Sequence, residues 1–196
     1  MSTNPNIVKL KVEGDWATDG KLAFTKDVYE VKWDDVEQFI VKNKRCHEII
    51  QGPCKPYYDV ELYYATEDER AEAFKDDYAD CKDALEELFP YSKYKGRRIV
   101  YLCASGKSAN PNKADKPYVN SIHAIVNGVG YCESGLDVPQ HAEFTALFDN
   151  QVYVAAGKSK NFRTIFSHKH ADPKRPFLPL PSRIKANSIG CRTSQC

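Results

Sequence analysis

The strongest constraint on the fold is an eight-residue β-prone run that leads directly into a capped amphipathic helix. Residues Tyr57–Tyr64 are rich in the aromatic and branched side chains that strands favour. Thr66 and Glu69 then form the Thr-x-x-Glu pattern of a capping box, and apolar residues follow at spacings of three and four as far as Leu88. Further strands and helices follow without a regular β-α-β alternation. The order therefore predicts an α+β fold rather than a doubly wound parallel sheet.

The other segments are predicted from periodicity and from turn residues. The predicted helices begin near Asp34 and at Asp137, the second with Pro139 in its first turn. The predicted strands are 98–103, 118–126, 151–155 and 161–166, the last two joined by a turn at Gly157. Residues 47–56 are predicted to be a loop, and the proline-rich chain beyond Pro173 is predicted to lie extended over the domain.

Length and composition exclude several classes of protein. A chain of 196 residues with 42% hydrophobic and 28% charged residues matches one globular domain with a buried core. No apolar stretch reaches the roughly 18 residues of a membrane span, and the first residues lack a signal peptide. The seven cysteines form no Cys-x-x-Cys pair, so we expect reduced thiols rather than disulfides or a zinc site. We therefore expect an intracellular protein, nuclear or cytoplasmic, without a membrane partner.

The net charge of +1 hides a basic C-terminal quarter. Residues 151–196 contain nine Lys and Arg against one Asp, a net charge of +8. Basic surfaces attract polyanions such as nucleic acid, although a merely solvated basic tail has the same composition. We expect a domain over residues 1–180 followed by a basic tail over 181–196. The candidate nucleic-acid-binding residues are Lys174, Arg175, Arg183 and Lys185.

Asp59 and Glu61 are the first candidate site. They are two residues apart in the predicted strand, so both carboxylates project from the same face. Two such carboxylates repel each other unless a cation offsets them, and their oxygens suit Mg²⁺ or Mn²⁺. An edge strand that shows two acids to solvent is the structural alternative.

Ser121 and His123 repeat this spacing on the strand 118–126. A hydroxyl and an imidazole on one face can bind phosphate or act as nucleophile and base. A serine in the middle of a strand lacks the sharp turn of a hydrolase nucleophile, which favours phosphate binding. A hydrogen-bonded structural histidine is the alternative.

A third group combines amide, guanidinium, hydroxyl and ammonium side chains. Asn161, Arg163, Ser167 and Lys169 share one face if the strand stays extended as far as Lys169. Such groups bind a triphosphate well. His168 and His170 also form the His-x-His pattern of rolling-circle endonucleases, but no tyrosine follows them, which argues against that class.

In order and spacing, these three groups together resemble the catalytic core of the archaeo-eukaryotic primase superfamily. The resemblance is closest to the primase-polymerase branch of eukaryotes and large DNA viruses, and it covers residues 46–169. The first motif is Asp-x-Glu on an apolar strand, preceded by an approach segment that begins at His47. The second is Ser121-Ile122-His123, and the third is Asp149 followed by Tyr153, Asn161-Phe162-Arg163 and Lys169.

This resemblance implies template-directed nucleotidyl transfer by two divalent metals, Mg²⁺ or Mn²⁺. Asp59, Glu61 and Asp149 would bind the metals, and Ser121, His123, Asn161, Arg163 and Lys169 would contact the nucleotide. The implied partners are a DNA template and nucleoside triphosphates, with a replicative helicase as a further candidate. The implied fold is a mixed α/β N-terminal module packed on a module like the RNA-recognition motif, with an antiparallel sheet.

The chain also departs from the pattern of these relatives. Val119 stands where they often carry a lysine, so the equivalent contact is missing or moves to Lys113 or Lys116. Only Cys191 and Cys196 follow Lys169, which is too few for the zinc module that helps relatives to initiate. Two other functions stay open: a non-catalytic single-stranded nucleic-acid-binding module of RNA-recognition type, and a metal-dependent nuclease or phosphohydrolase.

Overall fold

The computed structural model describes residues 7–16, 22–24, 28–43, 45–108, 111–140, 146–155, 157–168 and 174–180. Within them lie two antiparallel sheets and two α-helices, which confirms the predicted α+β class. No helix among these residues is both long enough and apolar enough to cross a membrane. The expected tail over 181–196 lies outside the described residues.

Along the chain, the path crosses between the two sheets three times, after Gln51, after Asn127 and after Arg163. The strands are β1 (Ile7–Trp16), β2 (Leu22–Phe24), β3 (Tyr29–Lys32), β4 (Cys46–Gln51), β5 (Tyr57–Tyr64), β6 (Arg98–Cys103), β7 (Gly106–Lys107), β8 (Tyr118–Asn127), β9 (Ser159–Arg163) and β10 (Leu178–Pro179). The helices are α1 (Val36–Lys42) and α2 (Glu67–Leu88).

The first sheet has the order β2-β1-β4-β9. β3 pairs with residues 7–10 of β1, on the edge of β1 opposite to β4. Helix α1 follows a 3-10 turn at Trp33–Asp35, which confirms the helix predicted near Asp34. Its buried Ile40 shares a small core with Leu10 and Cys46, so one face of this sheet is covered around β1. β9 joins β4 from more than a hundred residues away, so the first sheet is completed by a strand that follows β5–β8 in the chain.

The second sheet has the order β10-β6-β8-β5, with β7 paired to β8. Helix α2 covers one face, where Tyr78 and Leu85 share the main core with Tyr58 and Ile122. The capping box is confirmed: the Glu69 amide donates to Thr66 Oγ1, and the Thr66 amide donates to Glu69 Oε2, both at 3.2 Å. The strands predicted at 98–103 and 118–126 are also confirmed.

A buried polar network fixes α2 against this sheet. The Asn120 amide nitrogen donates to Asp77 Oδ2 at 2.7 Å, and the Arg70 guanidinium donates to Asn120 Oδ1 at 2.9 Å. The Tyr64 hydroxyl donates to the same Asp77 oxygen. Breaking such a network leaves buried polar groups unsatisfied, so it favours one rotation of the helix. The side chains of β5 and β8 that point away from α2 therefore form a separate face of the sheet.

Two predicted segments have a different secondary structure, because contacts with residues elsewhere in the chain determine it. The loop predicted for 47–56 is wrong in its first half, since β4 pairs there with β1 and β9. The helix predicted from Asp137 is wrong at its start. Asp137 ends a 3-10 turn and accepts a hydrogen bond from the Ser134 hydroxyl at 2.6 Å, and the buried Val138 is extended with ψ 122°. Residues 141–145 of that prediction lie outside the described residues.

The two strands predicted around Gly157 are only partly correct. A 3-10 turn at Asn150–Val152 replaces the first, while the turn at Gly157 is present with φ +79°. The second strand ends at Arg163, because the backbone turns at 164–167 and Phe166 adopts a left-handed φ of +62°. The extended segment predicted beyond Pro173 is confirmed at β10, which pairs with β6.

Candidate functional site

The first two motifs lie on neighbouring antiparallel strands and in matching register. In the pairing of β5 with β8, Asp59 is opposite His123 and Glu61 is opposite Ser121. Cross-strand partners have their Cβ atoms about 4.5–5.5 Å apart and on the same face. This is the face away from α2, so four of the predicted side chains share one largely buried face of the second sheet.

Asp59 and His123 are in direct contact. His123 Nε2 lies 3.4 Å from Asp59 Oδ1, and the two side chains are only 4% and 13% exposed. The imidazole is also stacked on two phenyl rings, with ring centroids 4.2 Å from Phe162 and 3.8 Å from Phe177. Phe162 belongs to β9 of the first sheet, so the histidine is held where the two sheets meet.

Glu61 lies beside a tyrosine and a lysine. The Tyr63 hydroxyl donates to Glu61 Oε2 at 2.9 Å, and Lys113 Nζ lies 4.8 Å from the centre of the Tyr63 ring. Lysine 113 is one of the two residues expected to replace the lysine missing at Val119. It therefore brings a cation to the motif strand from a different part of the chain.

Asp149 reaches the same site through its backbone. Its amide donates to the carbonyl of Asp59 at 2.8 Å, although 90 residues separate the two in sequence. Burial raises the pKa of Tyr153, and the negative charges of Asp59 and Asp149 raise it further. The Tyr153 hydroxyl itself donates to the carbonyl of Tyr57 at 3.1 Å.

Ser121 is buried on the same face, 3% exposed, and its backbone amide donates a hydrogen bond to the Ser105 hydroxyl oxygen at 3.2 Å. Arg163 lies at the end of β9 with its guanidinium carbon 5.4 Å from the centre of the Phe177 ring. That ring is the one that stacks on His123, so Arg163 is next to the second motif. Asn161 lies two residues earlier on the same face of β9, opposite Ile49 of β4.

The expected extension of this face to Lys169 is wrong. The strand ends at Arg163, and Ser167 is fully buried in the turn that follows. Its Oγ accepts a hydrogen bond from the Cys46 amide at 3.1 Å and lies 2.7 Å from Thr164 Oγ1. Ser167 therefore stabilises the junction between the turn and β4, and Lys169 lies outside the described residues.

The predicted nucleic-acid-binding residues are only partly described. Lys174 is exposed, whereas Arg175 Nη1 donates to the carbonyl of Ala104 at 2.6 Å. The Arg175 side chain also lies against Gly106, where a Cβ atom would come within 3.0 Å of it. Arg175 thus anchors the C-terminal segment to the second sheet. Arg183 and Lys185 lie outside the described residues.

The carboxylates of this site suit Mg²⁺ or Mn²⁺ in chemical type, because both ions prefer carboxylate oxygens. Within the described ranges, no three His, Cys, Asp or Glu side chains are grouped closely enough to hold a metal ion. A metal shared by Asp59, Glu61 and Asp149 would require these carboxylates to come closer together than they lie here. The convergence of all three on one metal stays a prediction.

No protein-family model matches the chain, and no curated protein shows significant sequence similarity to it.

The aromatic side chains that hold the site together, Phe162 and Phe177, were not among the predicted site residues. Phe162 stands between Asn161 and Arg163 and has the opposite parity, which is the pattern of a strand with one buried face. Phe177 carries no such signal, because it lies in a proline-rich segment without periodicity. Only its fully buried position and its ring contact with His123 identify it as part of the site.

Proposed function

We propose that this chain is the catalytic core of a DNA primase or primase-polymerase, which joins nucleoside triphosphates on a DNA template. The observation that carries the proposal is the register of β5 and β8, which sets Asp59 against His123 and Glu61 against Ser121. The hydrogen bond from Asp149 to the Asp59 carbonyl adds the third motif at the same place. Residues from three separate motifs thus meet where the two sheets are joined.

Each group has a role in this reaction. Asp59, Glu61 and Asp149 would hold the divalent metals, which would supply Lewis-acid chemistry at the 3′-hydroxyl and the triphosphate. Ser121 and His123 would contact the phosphates of the incoming nucleotide. Asn161, Arg163 and Lys169 would stabilise the charge that develops as pyrophosphate leaves. The stacking of His123 between two rings limits its motion, which favours one orientation of the bound phosphates.

The polar surface argues against a simple binding module. A binding sheet of the RNA-recognition type presents aromatic rings to bases. Here the corresponding surface presents Asp59 and Glu61, whose negative charges repel phosphates unless a cation offsets them. A nuclease could use the same acids, but Arg163 beside His123 suits a triphosphate. A replicative helicase as partner and a location inside the cell belong to the same proposal.

Extension of a 5′-labelled primer on a DNA template tests this function, with Mg²⁺ or Mn²⁺ and either ribonucleotides or deoxyribonucleotides. Asp59→Asn and Glu61→Gln should lower the rate by about 10²–10³-fold, since each removes a charge that would act in the transition state. Glu72→Gln, on the exposed side of α2, is the matched control and should keep the wild-type rate.

A second readout does not depend on activity. Mn²⁺ should raise the melting temperature of the wild-type protein and of Glu72→Gln, and should raise that of Asp59→Asn much less, because ligands stabilise the state that binds them. A wild-type protein that neither extends primers nor responds to Mn²⁺, but binds single-stranded DNA, would overturn the proposal in favour of the binding module.

A further inference from the structure

A row of basic residue types crosses the first sheet, and its middle member, His47, is buried with 5% of its surface exposed. Lys11 on β1 is opposite His47 on β4, and His47 is opposite Arg163 on β9. Residues that are opposite each other in neighbouring strands point to the same face. With strands about 4.8 Å apart, the row spans roughly 10 Å from Lys11 to Arg163.

Most of the other side chains on the same face are polar. At steps of two residues along each strand, this face continues with Lys9 on β1, Ile49 and Gln51 on β4, and Asn161 and Ser159 on β9. The opposite face of these strands carries Leu10, Cys46, Ile50 and Phe162, which are buried in the cores. The polar face is therefore the outer face of the sheet.

A cavity of about 270 Å³ lies on this outer face. Its lining includes Lys9, Lys11, Gln51 and Ser159, together with Glu30, which forms an ion pair with Lys9 at 3.9 Å. Lys9, Gln51 and Ser159 are exposed, so a ligand can reach the cavity from solvent. The cavity and the basic row share Lys11, which makes them one continuous surface.

The chemistry of this surface selects a polyanion. Lys9 and Lys11 lie two residues apart on one face of β1, where their positive charges repel each other, and a bound anion reduces that repulsion. Asn161, Gln51 and Ser159 add neutral groups that hydrogen-bond to phosphate and sugar oxygens. One end of the surface is Arg163, which the proposed function places at the nucleotide triphosphate. A strand of nucleic acid that follows the row therefore leads into the reaction site.

We propose that the outer face of the first sheet at Lys9 and Lys11, which leads across the sheet toward Arg163, binds the phosphate backbone of the single-stranded template. This inference rests on the proposed function, because that function makes a single strand the natural ligand next to Arg163. Recognition is through the backbone, so binding is independent of sequence and depends strongly on salt. The template then has a route separate from Arg175, whose guanidinium holds the Ala104 carbonyl.

The test compares the double variant Lys9→Ala/Lys11→Ala with Lys75→Ala/Lys95→Ala, which removes the same charge from exposed positions elsewhere. Anisotropy of a fluorescein-labelled 20-mer of thymidine, from 50 to 200 mM NaCl, gives affinity and its salt dependence. The first variant should bind at least about tenfold more weakly. The slope of log K against log salt should fall by about 1.4, since each lost phosphate contact on a single strand removes roughly 0.7.

The control variant should keep the wild-type affinity and slope. Equal affinity and slope for both double variants, with unchanged melting temperatures, would overturn the template surface. Primer extension at saturating template separates this result from a failure of the proposed function. If the wild type extends primers but both double variants bind DNA equally well, only the template surface is rejected. If Lys9→Ala/Lys11→Ala binds DNA more weakly but the wild type extends no primer, the DNA-binding surface stands and the proposed primase activity is rejected.

Discussion

Asp59 on β5 lies directly opposite His123 on β8, and its Oδ1 is 3.4 Å from the imidazole Nε2. The contact joins the first motif to the second. The His123 ring is in turn held between Phe162 and Phe177, which belong to the third-motif strand and to the C-terminal segment. His123 thus contacts the first motif, the third-motif strand and the C-terminal segment, which makes it the most informative residue to change.

His123→Ala and His123→Phe should separate packing from function. Alanine leaves a cavity between the two phenyl rings and should cost about 2–4 kcal/mol in the free energy of unfolding, the range for large buried side chains. Phenylalanine can keep the ring contacts and should cost less than half as much. Urea unfolding gives the stabilities, and both variants should lose nucleotide binding. Nucleotide affinity that survives in His123→Phe would show that the imidazole has only a structural role.

Arg163→Ala should raise the KM for nucleotide by roughly ten- to a hundredfold, since a charge-assisted contact to phosphate contributes about 1.5–3 kcal/mol. Lys169→Ala should act in the same direction. Lys174→Ala should instead weaken template binding in a salt-dependent way with little change in nucleotide KM. Steady-state rates at saturating template measure the first effect. An unchanged KM in Arg163→Ala would place the nucleotide pocket elsewhere.

Phe166→Gly should make the protein more stable. Phe166 has a φ of +62°, a left-handed conformation that costs a bulky residue about 1–2 kcal/mol and costs glycine little. Phe166→Ala is the matched control, because it removes the same ring but keeps the strained backbone. The glycine variant should exceed the alanine variant by about 1 kcal/mol in urea unfolding. Equal stabilities would show that surrounding contacts, rather than this φ, control the turn at 164–167.

Stability should fall at alkaline pH. Burial raises the pKa of Cys46 to about 11 and that of Cys81 to about 12, from the ordinary value of 9.0. The unfolded chain therefore releases these protons first, so stability is intact below about pH 8.5 and decreases as the pH rises toward 11. Each thiol contributes up to about 1.4 kcal/mol per pH unit.

Urea unfolding between pH 8 and 10.5 measures this slope. Cys81→Ala removes one of the two thiols, and should therefore show a shallower pH dependence even though the cavity lowers its stability at every pH. The same slope in the wild type and in Cys81→Ala would mean that Cys81 is not the source of the effect.

Local sequence patterns predicted the helices and strands whose determining residues all lie within one short segment. The capping box at Thr66 and the stripe after it define α2, because both depend only on residues within four positions of each other. Strand geometry likewise predicts that Asp59 and Glu61 share one face of their strand, and that Ser121 and His123 share one face of theirs. In contrast, β4 was missed because its partners, Lys11 and Arg163 among them, lie far away in sequence.

The sequence by itself determined the α+β class, the capped helix α2 and the two strands that carry paired polar residues, since backbone geometry sets which side chains share a face. Tertiary structure decided which strands became neighbours. It placed Asp59 against His123, brought the Asp149 amide to the Asp59 carbonyl, and ended β9 at Arg163 so that Ser167 became buried. The physical reason is that register, ring stacking and burial depend on residues that meet only after the chain has closed.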